Sequence, residues 1–254
     1  MFQYVFTSML LYFFCVFQPI FSFADESPSP SPVTADQWYE QGLKSKTQEE
    51  KIQCFSKAIE LKPEFSEAYN SRGIVKEGKN DLTGALDDFN KAIEFKKDDA
   101  TLYHNRGFVR YVLNDLAGAI SDYSEAIRLN PKKASTYYNR GFIKYNQGLF
   151  NEAIEDYNNV LEINPDDAVT LNNRGVAYFA KNDLDFAMRD MTKAIEINPR
   201  YADAFYNRGI AKYHLADYDG AERDFAKADE LRQGSLIASP KYKTIQTQEG
   251  KKNS

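Results

Sequence analysis

A 34-residue period governs most of this 254-residue chain. Five glycines mark it, and each is preceded by an arginine and followed fifteen residues later by an aspartate. The glycines are Gly73, Gly107, Gly141, Gly175 and Gly209. A fixed period of this length is typical of stacked helical units, in which each unit contacts only its neighbours. The period therefore predicts a solenoid, and arrays of this kind present surfaces more often than they carry out chemistry.

Each unit divides into two amphipathic segments. In residues 134–167, apolar residues recur at helical spacing over 135–148 and again over 150–163, without β-branched alternation. A residue that tolerates the left-handed conformation separates the segments, and a proline ends the second one in several units. The separating residues are Asn80, Asn114, Gly148 and Asn182, and the prolines are Pro131, Pro165 and Pro199. Each unit is thus predicted to be a pair of antiparallel helices.

Small residues recur where the two helices of a unit must approach each other. Twelve residues after each glycine stands an alanine, and four residues later a large side chain. The alanines are Ala85, Ala119, Ala153, Ala187 and Ala221, and the large residues are Phe89, Tyr123, Tyr157, Met191 and Phe225. Small positions that face large ones are what close helix packing requires.

These glycine, alanine, aromatic and proline positions resemble the tetratricopeptide repeat across residues 35–235. The resemblance implies an all-α fold, a right-handed α-solenoid of antiparallel helix pairs. The expected units are 35–65, 66–99, 100–133, 134–167, 168–201 and 202–235. The first is degenerate, because Gly42 precedes Gly73 by 31 residues instead of 34. In the last, Asp229 replaces an aliphatic residue, which suits a terminal unit.

Three segments lie outside the predicted array. Residues 1–24 hold no charged side chain and end in Ser22-Phe23-Ala24, a small-x-small pattern that predicts a signal peptide. No basic residue precedes the apolar run, which is long enough to span a bilayer, so an uncleaved signal anchor stays open. Either alternative predicts an exported chain, periplasmic or secreted, or one anchored facing away from the cytosol. Residues 25–34 are predicted to be a Pro/Ser-rich linker and 236–254 a disordered basic tail.

Charge and reactive residues exclude several functions. The net charge of −5 combines a tail of +3 with a body of −8, and an acidic body argues against nucleic-acid binding. Beyond residue 24, Cys54 is the one cysteine, which we interpret as a buried thiol. The two histidines, His104 and His214, lie in units three apart. No metal-ligand spacing, nucleophile–base motif or phosphate loop is present, so the sequence predicts a non-enzyme without metal or cofactor.

The arginine before each glycine departs from the family's commonest pattern, which has an apolar residue there. The degenerate first unit has Gln41 and Cys54 at the arginine and aspartate positions, so both charges are lost together. That joint loss predicts structural ion pairs between the helices of each unit. The predicted pairs are Arg72–Asp88, Arg106–Asp122, Arg140–Asp156, Arg174–Asp190 and Arg208–Asp224. The alternative, that the arginines bind an anionic ligand, fits less well with a position beside the packing glycine.

In the family that this chain resembles, the first helices line a concave groove that binds peptides or partner helices. The resemblance implies that residues flanking the glycines face this groove. The candidates are a ladder of amides, Asn105, Asn139, Asn173 and Asn207, and aromatic residues, Phe108, Phe142, Tyr111, Tyr145, Phe179, Tyr213, Tyr138 and Tyr206. The alternatives are that the asparagines are simply solvated and that the apolar residues pack between units. Aromatic and aliphatic residues occupy the slots where family co-chaperones hold a carboxylate, so chaperone-tail binding is not expected.

Two functions follow from this pattern, and a third, an accessory subunit of an enzyme complex, stays open because a fold does not imply a function. The first is an exported adaptor that binds a protein or peptide segment in its groove, with no nucleic-acid partner. A membrane would be contacted through residues 1–24 alone, if they are not cleaved. The second is a structural or oligomerising scaffold subunit of an envelope or secretory-pathway complex, with no ligand in the groove.

Overall fold

The computed structural model describes residues 33–238, and side chains up to 233, as twelve α-helices without a strand in that range. Each odd-numbered helix packs on the following even-numbered helix, and each pair packs on the next. The predicted all-α solenoid of antiparallel helix pairs is confirmed. The helices are α1 (Ala35–Lys44), α2 (Gln48–Leu61), α3 (Ser66–Gly78), α4 (Leu82–Phe95), α5 (Ala100–Val112), α6 (Leu116–Leu129), α7 (Ala134–Asn146), α8 (Phe150–Ile163), α9 (Ala168–Ala180), α10 (Leu184–Ile197), α11 (Ala202–His214) and α12 (Tyr218–Ala238).

Several predictions concern residues that the structure does not describe. The signal segment 1–24, the linker as far as residue 32 and the tail from residue 239 onward all lie outside the described range. At the other end of the array, α12 continues to Ala238, beyond the predicted unit boundary at residue 235. Within 33–238, no helix combines the length and the apolar character that crossing a bilayer requires.

Local sequence signals set the helix ends of the first unit. Thr34 and Thr47 each accept a hydrogen bond from the backbone N–H three residues on, and the side chain of that residue, Gln37 or Glu50, accepts from the threonine backbone. This reciprocal arrangement satisfies backbone donors that a helix start leaves without partners. The degenerate unit therefore begins both of its helices with strong caps.

A single left-handed residue joins the two helices of each later unit. Asn80, Asn114 and Asn182 have φ angles of 63°, 64° and 63°, and Gly148 has a φ of 79°. Asparagine and glycine adopt this conformation with little steric penalty, which explains their recurrence. The last unit has Ala216 there, with a φ of 61°, and a Cβ makes that conformation strained.

The core repeats with the sequence. A Cβ placed on Gly73 would lie 2.8 Å from the ring of Phe89, so the glycine is required for this close approach. Ala85 and Phe89 are buried, and Val109 of the following unit packs against both. The same small and large positions therefore bury side chains within a unit and between units.

The outer face of the last unit is polar. Glu222 and Asp229 are exposed on α12, whereas Met188 and Ile195, one period earlier on α10, are half-buried and pack against core residues. Carboxylates at these positions would lose hydration if a further unit stacked on them. The array therefore ends in a surface suited to water.

Candidate functional site

The arginine before each packing glycine contacts the buried aspartate on the second helix of its unit. Arg140 donates from Nη2 to Asp156 Oδ1 at 2.6 Å and from Nε to Oδ2 at 3.0 Å. The shortest nitrogen–oxygen distances are 2.7 Å for Arg72–Asp88, 2.6 Å for Arg106–Asp122, 2.6 Å for Arg140–Asp156, 2.7 Å for Arg174–Asp190 and 2.8 Å for Arg208–Asp224. Bidentate pairing of this kind suits a carboxylate that is removed from water.

A second cation reaches the same aspartate in four of the five units, which the sequence interpretation missed. Lys144 Nζ lies 2.7 Å from Asp156 Oδ2. The equivalent cations, four residues after each arginine, are Lys76, Arg110 and Lys212. Burial raises the pKa of Asp224, but hydrogen bonds from Arg208 and Lys212 outweigh it and leave that pKa lowered. The signal was available, because these cations follow the same 34-residue period.

The remaining terminal nitrogen of each arginine donates to the preceding unit. Arg140 Nη1 donates to Ser124 Oγ at 2.9 Å, on the second helix of the unit before it. The other links are Arg72 to Ser56, Arg106 to Asn90, Arg174 to Asn158 and Arg208 to Thr192. The sequence predicts ion pairs within single units, whereas in the structure each arginine also connects its unit to the preceding one. A guanidinium committed to these partners is a structural tie and has little left to offer an anionic ligand.

The asparagine ladder makes contacts inside the array. Asn105 Nδ2 donates to Asn70 Oδ1 at 3.0 Å, and Asn207 Nδ2 donates to Asn172 Oδ1 at 3.0 Å. Asn173 Nδ2 donates to the Tyr138 hydroxyl at 2.8 Å, and the amide of Asn139 donates to the hydroxyl of Tyr123 at 3.4 Å. Each ladder residue is half-buried and uses an N–H within the protein. Three of these amides thus connect first helices of neighbouring units, and Asn139 connects α7 to the second helix α6 of the unit before it. A ligand could use only the amide groups that these contacts leave over.

The aromatic candidates fall into two groups. The half-buried ones pack on other rings: Tyr138 on Tyr157 at 6.1 Å, Tyr145 on Phe150 at 5.5 Å, Phe179 on His214 at 5.0 Å and Tyr111 on Phe142 at 6.3 Å. The exposed ones are Phe108, Phe142, Tyr206 and Tyr213, at 38%, 36%, 42% and 59%. The last three of these also lie against one ring each, which are Tyr111, Phe225 and Tyr218. The first group stabilises the array, and the second leaves apolar surface exposed.

Several cavities open beside the first helices, and one of about 390 Å³ between α7 and α9 is lined by Ser135, Tyr138, Asp167 and Val169 among others. One of about 50 Å³ is lined by Phe108, Tyr111, Tyr123, Asn139, Phe142 and Ile143. Another, of about 190 Å³, lies between the first two units and is bordered by Leu43, Phe55, Ile74 and Val75. Apolar recesses with one or two polar groups at their walls suit an apolar side chain of a partner.

Two titratable residues, His104 and Cys54, are withdrawn from solvent: the first is half-buried and the second is buried. Burial, together with the positive charge of Lys133, lowers the pKa of His104 to about 4, and its Nδ1 lies 3.0 Å from Thr136 Oγ1. The imidazole is therefore neutral at pH 7. Cys54 is buried, and no group of three His, Cys, Asp or Glu side chains within residues 33–233 is arranged to hold a metal.

Comparison with known proteins identifies the repeat. A family model described as "Tetratricopeptide repeat" matches residues 134–167, and a second, described as "TPR repeat", matches 109–148 and 175–215. A search of curated proteins found no match.

Solved structures of similar shape cover most of the array. The structure described as YrrB, a TPR protein with an unusual peptide-binding site, is 24% identical with a TM-score of 0.64, and the match covers 74% of this chain and 96% of that one. MamA is 22% identical with a TM-score of 0.62, over 64% and 95% of the two chains. PilF of Pseudomonas aeruginosa is 17% identical with a TM-score of 0.66, over 84% and 97%. At these identities the likeness shows the fold. The family models, together with the 34-residue period, identify the units of this array as tetratricopeptide repeats.

Proposed function

We propose that this chain is an exported, non-catalytic adaptor that binds a segment of another protein along its first helices. The repeat fold is that of adaptors for protein–protein interaction, and one of the similar structures is described as having a peptide-binding site. The export part of the proposal rests on the charge-free residues 1–24 and the cleavage pattern at Ala24.

The observation that carries the proposal is a continuous exposed surface on three consecutive first helices. We define the first-helix face as the exposed residues of α5, α7 and α9, which are Thr101, Phe108, Val112, Ser135, Phe142, Asn146, Val169 and Ala180. Within α5 and α7 these residues are seven and then four positions apart, so they share one side of each helix. Four of the eight are large apolar residues between 36% and 45% exposed, which is typical of the centre of an interface.

Site-specific photo-crosslinking tests the location of binding. A photoreactive amino acid at Phe142 or Val112 is expected to join the chain to a discrete partner in the native compartment. The same group at Glu155 of α8 or Arg189 of α10, which are exposed on second helices, serves as the matched control. Adducts of equal yield from the control positions would contradict the assignment.

Scaffolding by self-association is the competing function. The polar outer face of the last unit argues against one form of it, the end-to-end stacking of arrays through that unit. Glu222 and Asp229 leave the last unit without the apolar surface through which units stack. Sedimentation equilibrium over a hundredfold range of concentration is therefore expected to give one molecular mass. A mass that rises with concentration while Phe142 stays accessible to crosslinking would favour the scaffold.

Export is tested separately. N-terminal sequencing of the mature chain is expected to begin at Asp25, and a chain that retains Met1 in a membrane fraction would indicate a signal anchor instead. Intact residues 1–24 in a soluble cytosolic fraction would contradict both forms of export.

A further inference from the structure

The first-helix face carries no charge, although charged residues make up 27% of the chain. Helices α5, α7 and α9 contain five cationic side chains and no acidic one. All five bind the buried aspartates of their own units, and they are Arg106, Arg110, Arg140, Lys144 and Arg174. No charged side chain of these three helices is left for the exposed side.

The charge-free surface has defined limits. On the N-terminal side, α3 adds Glu67 and Glu77, and on the C-terminal side α11 adds Asp203. At its edge, Asp167 accepts hydrogen bonds from the backbone N–H groups of Val169 and Thr170 at the start of α9. That charged carboxylate lines a cavity with Ser135 and Val169, so the uncharged surface consists of the exposed residues of α5, α7 and α9 and is bounded by Asp167 at the start of α9.

Resting on the groove function proposed above, we infer that this face binds an uncharged segment of a partner polypeptide, which contacts it through aliphatic or aromatic side chains. A charged side chain seated here would lose its hydration and gain no counter-charge. An apolar side chain would gain the burial of Phe108, Val112, Phe142 and Val169. The 50 Å³ cavity between Phe108 and Phe142 accepts the end of one aliphatic side chain.

Selection from a displayed library of random twelve-residue peptides, with the full chain as target, tests this inference. Selected peptides are expected to be depleted of Asp, Glu, Lys and Arg relative to the input, and enriched in Leu, Ile and Phe. One Asp or Lys placed at a contact position of a selected peptide is expected to weaken binding by about tenfold or more. Affinity is expected to stay constant between 50 mM and 500 mM NaCl, since no ion pair forms.

A designed charge in the face provides a second measurement. Asn146 is exposed at the end of α7, so Asn146→Asp introduces a carboxylate with little effect on packing. When this variant is the target of the selection, the selected peptides are expected to be enriched in Lys or Arg at one position. The control is Asn159→Asp on the second helix α8, which is expected to leave the selected sequences unchanged.

The outcomes separate the inference from the function on which it rests. Charged peptides that bind in a salt-dependent way, yet lose binding with Phe142→Ser, would overturn the inference and leave the groove function standing. Peptides that bind equally to Phe142→Ser and the unaltered chain, or a library from which nothing is enriched, would overturn the groove function and the inference together.

Discussion

Arg174 holds Asp190 by itself. Its Nε and Nη2 donate to the two carboxylate oxygens at 2.7 Å and 2.8 Å, and no other cation among residues 33–233 lies within 4.0 Å of that carboxylate. The place that Lys144 takes in the preceding unit is occupied by Tyr178, which stacks on Phe186 with ring centroids 5.0 Å apart. This unit therefore isolates the contribution of one buried ion pair.

Removing one partner of this pair is expected to destabilise the array more than removing both. Asp190→Leu leaves Arg174 buried without its carboxylate, and such a loss typically lowers the free energy of unfolding by about 3–5 kcal/mol. The double variant Arg174→Met, Asp190→Leu removes the uncompensated charge and is expected to recover much of that loss. Urea unfolding followed by circular dichroism measures both, and equal midpoints would contradict a buried pair.

Asp156→Leu is expected to destabilise more than Asp190→Leu. The first variant leaves two cations, Arg140 and Lys144, without a carboxylate, whereas the second leaves one. Recovery in this unit therefore requires the triple variant with both cations replaced by methionine. A double variant that retains Lys144 is expected to recover less than the triple one, and equal recovery would show that Lys144 contributes nothing to the pairing.

Replacing either of two glycines of α3 by alanine is expected to change the stability of the array, in opposite directions at the two positions. A Cβ on Gly73 meets the Phe89 ring at 2.8 Å, and overpacking of a core typically costs about 1–3 kcal/mol. At Gly78 the nearest atom is Gln48 Nε2 at 3.6 Å, so alanine fits and gains up to about 1 kcal/mol of helix propensity. Melting temperatures of Gly73→Ala and Gly78→Ala should fall on opposite sides of that of the unaltered chain.

His104 is expected to make the array acid-sensitive. Burial and Lys133 lower its pKa from 6.5 to about 4 in the folded chain, so between these values the unfolded chain binds more protons. The contribution of the neutral imidazole is complete above pH 6.5 and is lost as the pH falls towards 4. Asparagine holds the same repeat position in two other units, so His104→Asn provides the control. The difference in urea midpoint between the two proteins should change between pH 7 and pH 4.5, and a constant difference would contradict the lowered pKa.

Phe142→Ser is expected to remove partner binding with little change in fold. The ring is 36% exposed beside the 50 Å³ cavity, and central aromatic residues of an interface commonly contribute 2 kcal/mol or more, or about thirtyfold in affinity. Phe186→Ser is the matched control, because Phe186 is 49% exposed on the second helix α10. Isothermal titration with a selected peptide compares them, and equal losses would indicate a general effect of surface aromatics.

The fold was open to prediction because packing constraints repeat with the sequence. A residue that must be glycine, such as Gly73 against Phe89, leaves the same mark in every unit, and the joint absence of charge at Gln41 and Cys54 pointed to the ion pairs. The period even contained the second cation, since Lys144 and its equivalents recur four residues after the arginines.

The groove was harder to predict because residues of one type on the first helices either pack within the array or remain exposed to a partner. Nothing in the sequence indicates that the Tyr138 hydroxyl accepts a hydrogen bond from Asn173, thirty-five residues away. Nor does it separate Tyr145, which packs on Phe150, from Phe142, which is exposed. Both are aromatic residues on a first helix, and only the packing around each ring, within its unit and between units, decides which one a partner can reach.

Each arginine makes its ion pair within its own unit and a hydrogen bond to a neutral group in the preceding unit, and this difference affects how such arrays can change length. The full charges of each pair lie in one unit, while the donor to the preceding unit meets a neutral acceptor such as Ser124 or Asn158. Deleting or duplicating a whole unit therefore leaves every carboxylate with its own guanidinium, and exposes at most a hydroxyl or an amide that water satisfies. Gene rearrangements in steps of one period therefore leave none of these arginine–aspartate pairs broken.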